Sequence, residues 1–168
     1  MVKELQKLLE EKKYAEIHKL LGSVNSADIP SIFDELEDEQ IVVVYRLLSK
    51  DTAAEAFVEL DHDMQEKLIN GLTDSELKNV LDDIFMDDTV DLIEEMPANV
   101  VKRILKTQNS EDRKLINELL RYPEDSAGSI MTTEFVDLKE NMSTKDAMEK
   151  IKKVGDDVES IYVCYVLT

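Results

Sequence analysis

The sequence predicts a mainly α-helical chain, a superhelix of short amphipathic helices followed by a small α/β unit. Three observations predict it. Apolar residues recur in columns twelve apart, the stretches between them carry helix-capping chemistry, and past Arg121 to Thr133 the pattern changes to strand, helix, strand.

The first two helices are short. Val2 to Lys12 places Leu5, Leu8 and Leu9 at helical spacing, and Tyr14 to Leu21 repeats this with Ile17, Leu20 and Leu21. From Ser26 the order tightens. Blocks of twelve align Leu36, Leu48, Leu60, Leu72, Ile84, Met96 and Leu120, broken by Gln108. Four residues earlier stand Ile32, Val44, Ala56, Leu68, Val80, Leu92, Ile104 and Ile116, and beside them Phe33, Tyr45, Phe57, Ile69, Leu81, Ile93, Leu105 and Asn117. Within a block, Ile29, Ile32, Phe33 and Leu36 make one stripe on a helix of two to three turns.

Helices this short are unstable alone, so each must bury its stripe on neighbours, and a repeat of such units stacks into a coil with a continuous core. The connecting residues suit helix starts: Asp38, Asp51 and Asp61, Thr73 with Glu76 as a capping box, and Pro97 and Ser110 near later starts. At Arg121-Tyr-Pro-Glu-Asp-Ser-Ala-Gly-Ser-Ile-Met-Thr-Thr133, Pro123 lacks a backbone donor and Gly128 tolerates unusual backbone angles, so a helix ends and the chain turns. The joint divides the chain into residues 1–123 and 124–168. Beyond it, Glu134 to Leu138 reads as a strand, Ser143 to Val154 as a helix with Ala147, Met148 and Ile151 on its apolar face, and Ile161 to Leu167 as a buried strand.

Charge narrows the function. Of a net −18, residues 27–96 hold −17, with 21 acidic side chains against Arg46, Lys50, Lys67 and Lys78. Such a field repels phosphate backbones and disfavours nucleic acid as a partner. No apolar run approaches the roughly 20 residues of a membrane-spanning helix, and no secretory signal opens the chain. One cysteine, Cys164, excludes an internal disulfide. There is no glycine-rich phosphate loop and no Cys/His metal spacing, and His18 and His62 have no evident catalytic partners. The chain reads as a non-enzyme, with no catalytic residues.

The constellation that points to chemistry is Asp87-Asp88-Thr-Val-Asp91. On a helix starting near Asp87, residues 87 and 91 share a face with Cβ atoms about 5–6 Å apart, close enough to address one hydrated cation. Carboxylates with retained waters suit Mg2+ best, and Ca2+ and Mn2+ obey the same chemistry. Equally, Asp87 and Asp88 favour the positive end of their helix and Asp91 faces solvent. A second candidate is Glu55 in Ala53-Ala54-Glu55-Ala56, a carboxylate among small residues that let another surface approach. As an ordinary solvated charge it needs no partner. The basic residues Lys102, Arg103, Lys106, Arg113, Lys114 and Arg121 follow the acidic segment and pair with it or with a neighbouring domain.

Tyr122 to Thr132 resembles the Y-x-x-D-x-A-G-x-[LIM]-M-T segment of MgtE-family magnesium channels, where a helical N domain passes into a cystathionine-β-synthase (CBS) domain. Asn141-Met142-Ser143-Thr144 is similar to the start of a first CBS motif, and Asp87, Asp88 and Asp91 match the family's D-D-x-x-D stretch. The resemblance implies a right-handed superhelix over 1–123 and a partial CBS unit over 124–168. It also implies Mg2+ at Asp87, Asp88, Asp91 and Glu55. It further implies a homodimer whose remaining CBS and transmembrane domains sit in the cell membrane, with this part on the cytoplasmic side. On that basis the expected function is Mg2+ sensing that closes a magnesium pore. The alternative is an α-solenoid adaptor, like the helical repeats of flagellar rotor proteins, whose acidic face binds a basic partner.

Overall fold

All eight residues of the column from Ile32 to Ile116 are buried, and so are the aromatic and aliphatic residues beside them from Phe33 to Ile93. The computed structural model describes residues 1–123, 125–155, 158 and 160–167. Glu124, which belongs to the joint motif and opens the second unit in the sequence reading, lies outside the described residues.

The helices are α1 (Val2–Glu10), α2 (Tyr14–Leu21), α3 (Ile29–Phe33), α4 (Asp38–Tyr45), α5 (Lys50–Val58), α6 (His62–Gly71), α7 (Asp74–Leu81), α8 (Met86–Glu95), α9 (Ala98–Thr107) and α10 (Ser110–Leu119). A short 3-10 turn, Ser26–Asp28, leads into α3. Local capping fixes half of these starts. Asp61 accepts the N–H of Met64 at 2.8 Å, and Ser49 accepts that of Thr52 at 3.3 Å. Thr73 and Glu76 form a reciprocal box, as do Glu37 and Gln40. Asn109 caps α10 through the N–H groups of Glu111 and Asp112. Asp38 and Asp51 are therefore not caps: they are the first and second residues of helices begun by Glu37 and Ser49, where negative charge still favours the helix dipole.

Through the coil most helices pack on the one two further along the chain, α4 on α6, α5 on α7, α7 on α9 and α8 on α10, while α1 packs on α2 and α6 on α9. Polar contacts keep the same stride. The Gln6 amide donates to the carbonyl of Glu35 at 3.1 Å, and His18 Nδ1 donates to that of Leu47 at 2.7 Å, so Nδ1 carries the proton. Lys67 meets Asp38 at 2.9 Å, Arg46 meets Glu76 at 2.7 Å, Lys50 meets Asp83 at 2.6 Å and His62 meets Glu95 at 3.3 Å. Partners stand about 30 residues apart, so one turn of the coil takes two to three helices. The buried polar residues bond nearer by in the chain. The Gln65 amide donates to the carbonyl of Phe57 at 3.0 Å, and Thr89 donates to that of Phe85 at 3.2 Å.

At the joint the structure corrects one expectation. Gly128 has no positive φ; the left-handed residue is Asp125, at φ 60°. Aspartate tolerates that region because its short side chain bonds locally. Gly128 is required for a different reason, since a Cβ there would overlap the Tyr122 ring.

The last unit consists of β1 (Phe135–Lys139), α11 (Thr144–Val154) and β2 (Ser160–Leu167). The strands run parallel, as a strand-helix-strand crossover demands. Val136 is buried, Phe135 meets Tyr165 edge to face at 5.6 Å, and Lys150 of α11 reaches Asp137 at 2.5 Å. The expected burial of the second strand is not met. Tyr162 is 97% exposed, and Met148 on α11 is also exposed. Among the described residues β2 pairs with one strand, β1, and most of its side chains are exposed.

Candidate functional site

The packing of α5 on α7 brings Asp51 and Glu55, one turn apart, opposite the acidic end of α7. There Asp82-Asp83-Ile84-Phe85 connects to α8. The segment after the joint returns to the same place and adds Glu134. The result is a cleft of about 670 Å3 lined by Asp51, Ala54, Glu55, Val58, Asp82, Asp83, Ile84, Phe85, Asp88 and Glu134. Ala54 and Ala56 are buried, so the small residues around Glu55 serve the packing of α5 while its carboxylate stays exposed.

Carboxylates gathered this closely repel one another within the roughly 8 Å reach of charge in physiological salt. Two cations enter the neighbourhood. Lys50 bonds Asp83 at 2.6 Å, and this hydrogen bond with the charge beside it raises the lysine's pKa. Arg46 bonds Glu76 further along, and holds Glu76 down to about 2. Tyr45, buried nearby, is pushed up by burial first and by the charge of Asp83 second, and its hydroxyl donates to the carbonyl of Ala53 at 3.0 Å.

Of the residues singled out by sequence, Glu55 and Asp88 share the cleft. Asp87 and Asp91 lie on α8 outside its lining, with Asp87 half-buried and Asp91 exposed one turn on. Glu134 was not foreseen. It lies 48 residues from the helix it meets, and its only local signal is the run Thr132-Thr133-Glu134, whose hydroxyls donate to Glu134 Oε2 at 3.4 and 2.9 Å. Glu134 Oε1 accepts the N–H of Met86, the first residue of α8, at 3.1 Å.

The donor chemistry of the cleft is all oxygen and fits a hard divalent ion that keeps part of its water. Among the described residues no three carboxylate, imidazole or thiol groups are arranged to hold a metal ion by themselves. The cleft fits in ligand type, but its carboxylates do not converge on one point, so a cation there must draw further ligands from water or from whatever faces the opening.

Residues 24–125 match the family model of the MgtE intracellular N domain. The chain belongs to the MgtE family. Over 97% of its length it is 30% identical to the magnesium transporter MgtE of Thermus thermophilus, and over 95% it is 26% identical to that of Bacillus subtilis. It spans 37% and 36% of those relatives, a little over a third of their length. In structure it matches the cytosolic domain of the Mg2+ channel MgtE, solved in complex with ATP, with a TM-score of 0.90 at 29% identity. That match covers 100% of this chain and 69% of the other. The soluble part of a magnesium transporter matches with a TM-score of 0.83 at 26% identity, covering 99% and 66%. The likeness to the MgtE cytosolic domain thus runs past the helical coil through β1, α11 and β2, as the joint motif implied. Among the described residues, no helix is long and apolar enough to cross a membrane.

Proposed function

We propose that this chain is the Mg2+-sensing part of the cytosolic region of an MgtE-type magnesium channel or transporter. Residues 1–123 form its helical N domain and residues 124–168 open its first CBS domain. The observation that supports this most directly is the composition of the cleft, where carboxylates of α5, the α7–α8 connection and α8 meet one from beyond the joint. When divalent ions are scarce, Glu55, Asp88 and their neighbours repel acidic surfaces brought against them. When Mg2+ is plentiful, Glu55 and Asp88, with Asp87 and Asp91 on the adjoining face of α8, offer it oxygen ligands. The remaining CBS domains and the partner copy of a homodimer supply the rest, and the region closes toward a pore that shuts.

An ion short of protein ligands is held weakly. Half-filling near 1 mM corresponds to about 4 kcal/mol, the range in which a cytosolic ion can be sensed rather than stored. The test uses the whole cytosolic region with complete CBS domains, digested by protease in chelator and across a Mg2+ titration at matched ionic strength. Mg2+ should protect the wild type, and Glu55→Gln, Asp88→Asn, Asp87→Ala and Asp91→Ala should each move the midpoint to higher Mg2+, by roughly 3- to 10-fold for a lost charged ligand. Midpoints that stay put would remove these residues from the sensor. Equal protection by spermidine would instead favour an acidic adaptor that binds basic partners.

A further inference from the structure

Helices α4, α5, α6, α7 and α10 each begin with a side-chain cap supplied by the residue just before them. Helices α1, α2, α3, α8 and α9 do not, and at α8 the cap position is Phe85, which has no side-chain acceptor. The N–H of Met86 is one of the four that a helix start leaves without a partner inside the helix. It is met from 48 residues away by Glu134 Oε1 at 3.1 Å. The carboxylate is held for this task. Thr133 donates to its other oxygen at 2.9 Å, Thr132 does so at 3.4 Å, and the Thr132 hydroxyl also accepts the N–H of Glu134 at 3.2 Å. One residue further on, β1 begins.

We propose that Glu134 is a positioning residue, a latch that caps the acidic helix α8 from the far side of the joint and ties the start of β1 to the acidic cleft. The negative carboxylate sits at the positive end of the α8 dipole, where it is favoured, yet it also stands among Asp51, Glu55 and Asp88, which disfavour it. The latch is therefore closed by a hydrogen bond and opposed by charge. Anything that neutralises the cleft tightens it, and anything that pulls β1 away uncaps the turn that carries Asp87 and Asp88. This rests in part on the sensing function proposed above, but the latch itself is a statement about the chain without any added ion.

Three substitutions separate reach from charge. Glu134→Gln keeps an acceptor oxygen at the same distance and removes the charge. Glu134→Asp keeps the charge and shortens the reach by one methylene. Glu134→Ala removes both. Amide hydrogen exchange is followed by mass spectrometry on this chain in chelator, reading peptides over 86–95, over 132–139 and, as a folding control, over α4 to α6. The latch requires that Gln match the wild type or exchange more slowly, and that Asp and Ala speed exchange about 10-fold or more at both the start of α8 and the start of β1. The control peptides should not change. If exchange follows charge instead, with Asp like the wild type and Gln like Ala, the latch is wrong. It is also wrong if α8 alone responds while β1 does not, which is what an ordinary local cap would give. Repeating the wild-type measurement on the whole cytosolic region with complete CBS domains, with and without Mg2+, separates the two proposals: no response to the ion there would count against sensing and leave the latch result standing.

Discussion

Replacing Arg103 should unfasten one turn of the coil from the next. Its guanidinium lies on α9, 24% exposed, against the boundary of α6 and α7 one turn earlier. One terminal nitrogen donates to the carbonyl of Ile69, the other to that of Leu72 at 2.5 Å, and Nε bonds Asp74 at 2.9 Å. Those carbonyls belong to the end of α6, where a helix leaves acceptors without internal partners. Arg103→Met keeps the aliphatic stem and removes all three bonds. A hydrogen bond to a charged group contributes about 1.5–3 kcal/mol, but the partly open site lets water recover much of it, so a net loss of about 2–4 kcal/mol is expected. For a chain of this size that is a fall in melting temperature of about 6–12 °C. Arg103→Lys should recover less than half of it, because an ammonium lacks the planar fork that reaches two carbonyls and a carboxylate together. Asp74→Asn touches only the exposed member and should change the melt least. Circular dichroism melts at low salt and in 0.5 M NaCl (about 4 Å screening length) provide the assay, with the Arg103→Met deficit persisting in salt. A melt of Arg103→Met within about 2 °C of the wild type would refute the reasoning.

Two further outcomes are expected. The pair of Arg46 with Glu76, helped by the Thr73 N–H, holds the Glu76 carboxyl at about 2 against an ordinary 4.5. Its stabilisation is therefore present above pH 4.5 and lost as pH falls toward 2. Both side chains are well exposed, so Glu76→Gln should cost about 0.5–1 kcal/mol at pH 7 and converge with the wild type near pH 2, read from urea midpoints against pH. At the joint, Gly128→Ala should displace the Tyr122 ring and raise tryptic cleavage after Arg121 by roughly 3- to 10-fold. In a Tyr122→Ala background the same change should add nothing.

Much of the coil was legible because a twelve-residue period in apolar residues has one cheap explanation. Even Gln108, the exception in its column, is buried where the column places it. Helix starts were legible to within a residue or two, since Asp, Ser, Thr and Asn all serve as caps and often stand side by side, as Ser49 does near Asp51. The contacts between turns were not, because a stride of about 30 residues appears only once several helices are stacked. Local charge and the resemblance singled out Glu55 and Asp88, which line the cleft, together with Asp87 and Asp91, which do not. Glu134 was missed because its partner is a backbone N–H, which every residue but proline carries, so no side-chain pattern could announce it. Gly128 was assigned the wrong task for a related reason: crowding by a ring six residues earlier and a left-handed backbone both select glycine. The exposed β2 shows that β-branched and aromatic residues record an appetite for burial, not its fulfilment.

A coil whose turn takes about 30 residues while its unit is 12 has a built-in phase. Removing one unit would do more than shorten it. Excising the stretch around α9 would rotate everything downstream by about 140° about the axis. The segment from Thr132 to Glu134 would then arrive on the wrong side of the coil, facing a different pair of helices. The number of units in the coil thus sets the bearing at which the chain leaves it, and relatives that add or lose a unit must re-aim whatever follows.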